Sequence, residues 1–338
     1  TPGTRANPSI ALDQLWLRYD VARVAYFTVG RQKIRWGTSR IWYPTDFLNA
    51  RPRDALNPFD VRLGVNALKV HVPVESLGWN FYGYGLLDTP NATSPAFTLE
   101  QLGGALRAEI VLGPAELGVG GVWRKGRRPR YAIDVSSSLG PVDVYAEAAF
   151  RDGRDFLLFR YPSDLRLTNL ASRFGEIDAY RPSNILVQTT AGISWQFNYT
   201  DSNFAVVGVE YFNNPAGYAD VTGYQVMTFG PRFFGEPLAD IQQLPLYGAQ
   251  HNVAVSFAMP GLPGLPWITA SLANIIIVSD PSALSRVDLT FRVLQQLQIQ
   301  CFASVFYGRG GGQLKFQLDG DSVEQLAQLS DLMQPGSG

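Results

Sequence analysis

RVAYFTVGRQKIRWG, residues 23–37, alternates without interruption. Arg23, Ala25, Phe27, Val29, Arg31, Lys33 and Arg35 share one face of an extended chain, and Val24, Tyr26, Thr28, Gly30, Gln32, Ile34 and Trp36 share the other. A helix would scatter the cations around its circumference, whereas a strand aligns them. The run also exceeds the usual strand of about five or six residues. Cations on one side need water, so that face is expected to be wet. The apolar and aromatic face needs a core or lipid. If the arrangement recurs along the chain, the simplest body that satisfies every strand is a closed barrel with a wet interior and an oily exterior.

It does recur. Leu102, Leu106, Ile110 and Leu112 oppose Arg107 and Glu109, and Leu117, Val119 and Trp123 oppose Glu116 and Arg124. Tyr131, Ile133 and Val135 oppose Arg130 and Asp134; Val144, Ala146 and Ala148 oppose Asp143, Glu147 and Arg151; Val287, Leu289 and Phe291 oppose Arg286, Asp288 and Arg292. Residues 60–72 read as a strand with a bulge near Asn66, because Lys69 and His71 fall out of phase with Arg62 and Asn66. The last strand is expected at 313–318. Connections alternate in length. Short turns fall near 20–22, 113–114, 139–141 and 260–265, and long loops at 38–60, 152–184 and 213–248. The fold expected is all-β: a transmembrane antiparallel up-and-down barrel of about 16 strands, with 14 as the alternative, short periplasmic turns and long extracellular loops. One barrel domain spans 1–320, followed by a helical tail at 321–338, which parity places in the periplasm. A short helix near 164–174 is also considered.

Composition narrows the function. Charged residues make up 17% of the 338-residue chain and net charge is −1, so neither a nucleic-acid surface nor a polybasic tract is present beyond the short Lys125–Arg130 run, KGRRPR. A single cysteine, Cys301, and two histidines, His71 and His251, leave no disulfide framework, zinc set or hydrolase triad to build, and no cofactor is expected. No apolar run reaches the length of a transmembrane helix, and TPGTRANPS at 1–9 has neither a basic n-region nor an apolar h-region, so any export signal is expected to have gone already.

VGRQKIRWG at 29–37, followed by NARPRDALNPFDVRLGVNALKV at 49–70, resembles bacterial outer-membrane porin-like families, among them alginate-export-type barrels, in which a Gly-Arg-Gln strand precedes a loop rich in Asn, Pro and Asp. The resemblance covers about 50 residues and implies a bacterial outer-membrane channel rather than an enzyme.

The residues expected to line the lumen and set its selectivity are Arg23, Arg31, Lys33 and Arg35 on one wall. Farther round stand Arg107, Glu109, Glu116, Arg124, Asp134, Asp143, Glu147 and Arg151, then Arg286, Asp288 and Arg292. Taken singly, these charges could instead pair into ladders, Arg107 with Glu116 or Arg124 with Asp134. Trp36, Trp79, Trp123, Trp195, Trp267 and Tyr307 near strand ends suit interfacial aromatic girdles. The expected function is diffusion of small hydrophilic solutes. The alternative is a scaffold barrel that anchors an envelope complex through its long loops and tail. Expected partners are outer-membrane lipids, the solutes themselves, and a second copy of the chain or another envelope protein.

Overall fold

The computed structural model describes residues 13–49, 64–87 and 102–315, apart from 171, 202, 236, 240–241 and 243–245. Fourteen strands form one antiparallel sheet in which every neighbour in space is a neighbour in sequence. They are β1 (Leu15–Val21), β2 (Ala25–Gln32), β3 (Val65–Val74), β4 (Trp79–Leu86), β5 (Gly103–Leu112), β6 (Ala115–Arg124), β7 (Arg130–Leu139) and β8 (Val142–Asp152). The sheet continues with β11 (Ile185–Asn198), β12 (Phe204–Asn213), β13 (His251–Leu262), β14 (Leu265–Ile277), β15 (Ser282–Arg292) and β16 (Gln298–Gly308). A separate ribbon, β9 (Leu158–Arg160) with β10 (Asp178–Tyr180), lies in the loop after β8. The count is the lower of the two expected numbers. No pairing joins β1 to β16 among the described residues.

Register fixes the two faces. Tyr145, Gly192, Glu210, Ala254, Ile275, Leu284 and Phe306 follow one another across six strand pairs and share the inner face. One residue along, Ile193, Val209 and Val255 share the outer face and are exposed. The same exposed apolar band runs through Val29, Leu68, Leu106, Val119, Ile133, Leu272, Val287 and Val305. A barrel that points its apolar residues outward and its polar ones inward is inverted relative to a water-soluble β-sandwich.

Tight turns close one rim. Gly113 and Gly140 adopt left-handed φ values of 62° and 66° at two of them, the conformation that primed hairpin turns require. The β1–β2 turn uses Ala22 and Arg23 instead, at 53° and 58°. The longer connections, after β2, β8 and β12, leave from the other rim, which also carries short links at 125–129 and 278–281. The segment after β8 holds three-residue 3-10 turns and the ribbon rather than an α-helix. The segment after β12 contains α1 (Val221–Phe234), capped where Asp220 accepts from the Gly223 N–H at 2.7 Å.

Three expectations are corrected. β2 stops at Gln32, so Lys33 and Arg35 lie beyond the strand. β3 pairs with both neighbours without a bulge at Asn66: Lys69 and His71 face inward, and Asn66 faces outward to receive a 3.1 Å hydrogen bond from Arg31 Nε. The register shift lies instead between Pro260 and Leu262. Finally, residues 313–315 form no strand. Gly311 and Lys315 close a turn at the long-loop rim, where Gln313 N donates to Asp280 Oδ2 at 2.6 Å. Residue 315 therefore lies at the long-loop rim rather than within a strand, and the tail at 321–338 lies outside the described residues.

Candidate functional site

Residues 33–49 leave the end of β2, turn into the lumen and reverse. Trp36, Trp42, Tyr43, Phe47 and Leu48 are at most 4% exposed, although no regular element contains them. A buried irregular loop must satisfy its backbone polar groups. Two inner-face carboxylates do this. Glu210 accepts from the N–H groups of Arg40 (2.9 Å), Ile41 (3.1 Å) and Trp42 (2.7 Å), and from the Tyr145 hydroxyl (2.7 Å). Glu147 accepts from Ser39 N and from Thr45 Oγ1, each at 2.6 Å. Successive amides converging on one carboxylate form an anion nest, here with the anion supplied by the wall.

Cations hold the carbonyl side of the same loop. Arg151 Nη2 donates to Pro44 O at 3.0 Å, and Arg124 Nη2 donates to Leu48 O at 3.3 Å. Trp42 Nε1 donates to Leu246 O at 2.9 Å, and the Trp42 ring stacks 5.7 Å from Phe212. Missing side chains make room. A Cβ at Gly192 would sit 2.3 Å from the Tyr145 ring, and one at Gly120 would sit 3.0 Å from the Trp36 ring. The loop therefore fits the β4–β12 wall, narrowing the lumen from that side.

The wall charges pair in their own way. Arg107 makes a bidentate contact with Asp134 at 2.7 and 2.9 Å and reaches Glu109 at 2.9 Å, its guanidinium lying 5.6 Å from the Trp36 ring. The anticipated Arg107–Glu116 and Arg124–Asp134 ladders are replaced by these contacts. Glu116 and Asp143 instead line a 480 Å³ niche at the tip of the loop, with Arg35, Arg40 and Ser136, Ser137 and Ser138; Arg40 Nη2 lies 2.8 Å from Asp143. The inner faces farther round carry Arg286 paired with Asp288 at 2.8 Å, then Arg292. Lys69 sits 4.9 Å from the Tyr82 ring, and the His71 and Tyr82 rings stack at 4.6 Å.

Three expected cations are displaced from the lumen wall, and the fourth, Arg35, reaches the lumen from the loop rather than from a strand. Arg23 occupies the β1–β2 turn, outside the lumen. Arg31 shares the outer face with Phe27 and Val29, since its pairing partners are Leu15 and Asn66. Lys33 pairs with Asp13 at 2.9 Å, and the Arg35 guanidinium lies 5.2 Å from the Tyr43 ring. The physical reason is that Tyr26, Thr28 and Gln32 face inward while Ile34 and Trp36 continue into the buried loop. Trp36 is therefore a lumen residue and no part of a girdle. Trp123, Trp195, Trp267 and Tyr307 are exposed near the rims, and Trp79 is half-buried, donating to Val111 O at 3.3 Å. Glu210 and Tyr145 were not among the expected site residues. The available signal was a lone acid inside the apolar run AVVGVEYF, residues 205–212.

No family model matches the sequence, and no curated protein is similar to it. Solved structures that resemble the chain include porins. OccK10 (OpdN) of Pseudomonas aeruginosa is 9% identical with a TM-score of 0.45, covering 84% of this chain and 76% of that one. A BenF-like porin from Pseudomonas fluorescens Pf-5 is 12% identical with a TM-score of 0.45, covering 84% and 69%. OccAB4 of Acinetobacter baumannii is 8% identical with a TM-score of 0.46, covering 87% and 70%.

Proposed function

We propose that the chain is a porin-type channel of the bacterial outer membrane, passing small hydrophilic solutes through the part of the lumen that residues 33–49 leave free. The observation that carries this reading is the inverted amphipathicity: a continuous exposed apolar belt outside, and ionised and hydroxyl-bearing residues inside. Such a surface is stable in lipid and a liability in water. Selectivity would come from the charges opposite the loop, chiefly Arg286 and Asp288, whose field the low-dielectric walls focus into the water-filled passage. The filled half-lumen favours a second reading, a barrel anchoring envelope partners, because Trp42, Phe212, Leu246, Tyr247 and Ile275 form one packed cluster inside it.

Planar-bilayer recording separates the two. Steady single-channel steps whose cation–anion preference shifts in an Arg286→Ala, Asp288→Ala double variant support the channel. Silence from a folded, heat-modifiable protein would sink the channel reading in favour of the anchor.

A further inference from the structure

β16 differs from its neighbours in leaving large apolar side chains uncovered on its inner face. Phe302, beneath the Arg286 guanidinium, and Phe306 are 64% and 55% exposed, whereas Ile275 and Leu284, in the same inner row as Phe306, are buried. Beside Phe306 opens a cavity of about 840 Å³ at the long-loop rim, between α1 and the turn at 311–315. Its walls include Tyr218, Tyr224, Met227, Leu238, Phe306 and Leu314. No Asp, Glu, Lys or Arg stands among its described lining residues, although charged pairs line much of the remaining inner surface. Its inner hydroxyl is committed, since Tyr218 OH lies 2.9 Å from both Asp280 Oδ2 and Gln313 Oε1 and has one proton to donate between them.

Volume, wall and charge select the occupant. Ligand pockets run from about 300 to 1,000 Å³ and use apolar walls with few polar groups. Among the described lining residues a charged solute would find no counter-charge to offset the hydration it loses. Exposed aromatic surface on the inner face of a barrel marks a place where apolar matter is bound. We propose that this cavity is a binding site for an uncharged aromatic molecule of two or more rings, entered from the long-loop side. The site is separate from the hydrophilic passage and does not depend on conduction.

The test is equilibrium binding of 1-naphthol to the full chain in lipid nanodiscs, with protein-free nanodiscs subtracted and 1-naphthoate as the charged counterpart. Saturable binding of one 1-naphthol per chain is expected, with 1-naphthoate weaker by about tenfold or more. Met227→Trp, which fills the cavity, and Phe306→Ala, which removes a wall, should each weaken binding by a similar factor. Because either variant could misfold, a bromonaphthol soaked into wild-type crystals gives an independent readout, with an anomalous peak expected beside Phe306. Binding no greater than to empty nanodiscs, equal binding of the naphthoate, or a peak elsewhere would overturn the proposal. So would binding that appears only after residues 316–338 are deleted, since the occupant would then be the chain's own tail.

Discussion

Glu210 is the residue on which the inward loop depends most. It is 1% exposed and surrounded by four donors, so its charge is matched by dipoles rather than by a cation. Hydrogen bonds to an ionised acceptor are each worth about 1.5–3 kcal/mol, and losing one partner of a buried set costs more than the mean bond. Glu210→Gln keeps the shape but replaces one acceptor oxygen with a donor that faces N–H groups. It is expected to destabilise the barrel by about 2 kcal/mol or more in urea unfolding from lipid vesicles. In bilayers it should also raise conductance or its noise, as residues 39–42 loosen. An unchanged midpoint together with unchanged current would show that the loop is held elsewhere. Gly192 tests the same contact from the other side. Gly192→Ala drives a methyl into the Tyr145 ring, at a cost of about 1–3 kcal/mol. If the clash is the cause, adding Tyr145→Ala should recover part of that loss. Neither residue is prominent in the sequence, because a lone glutamate and a strand glycine acquire meaning only once register makes them neighbours.

Among the elements, strands were legible and the inward loop was not. Alternation located β5 to β8 and β15 with their polar and apolar faces as they stand, because each has apolar groups on one side, exposed in β5 to β7 and β15 and half-buried in β8, and ionised groups on the other. The stretch 23–37 misled for a physical reason. Periodicity separates two faces but does not say which is inner, and the cations at 31, 33 and 35 were assigned to the wet side. Arg31 stands near the end of β2, where a long side chain on the outer face can reach the interface. Extended backbone beyond Gln32 then carried the same alternation into a loop that pairs with no strand. The segment after β8 offers an element-scale prediction. Arg173 donates to Asp164 (2.7 Å) and to both Glu176 oxygens (2.8 and 2.7 Å), holding both carboxyls below their usual range. A carboxyl with a depressed folded pKa stabilises above its unfolded value, about 4, and that contribution is lost as pH falls through the folded value. Hydrogen-exchange protection across 164–177, corrected for intrinsic rate, should therefore decline below about pH 4. In Arg173→Leu it should be lower throughout and flat over that window. A wild-type profile as flat as the variant's would remove the ion cluster from the account.

For the whole molecule, the outer belt decides between lipid and water, and no single residue or element can. Register alone places Ile193, Val209 and Val255 side by side facing out, and all three are exposed. In a soluble protein an exposed valine is ordinary, and replacing it with arginine changes stability by about 0.5 kcal/mol or less. On the lipid face of a barrel near mid-depth the same change costs about 2–4 kcal/mol. Val209 lies in the middle of β12, far from either rim, so its arginine has little chance to reach the headgroups. Thr290 provides the control, because it sits on the inner face of β15 opposite Gln300 and looks into the lumen. Val209→Arg should lower the unfolding free energy in phospholipid vesicles by about 2–4 kcal/mol, whereas Thr290→Arg should change it by about 0.5–1 kcal/mol and act instead on ion preference. If both substitutions were neutral, the belt would be facing water or a protein partner, and the inversion of faces on which the membrane reading rests would need another cause. If Thr290→Arg alone were costly, the inner and outer faces would have to be exchanged.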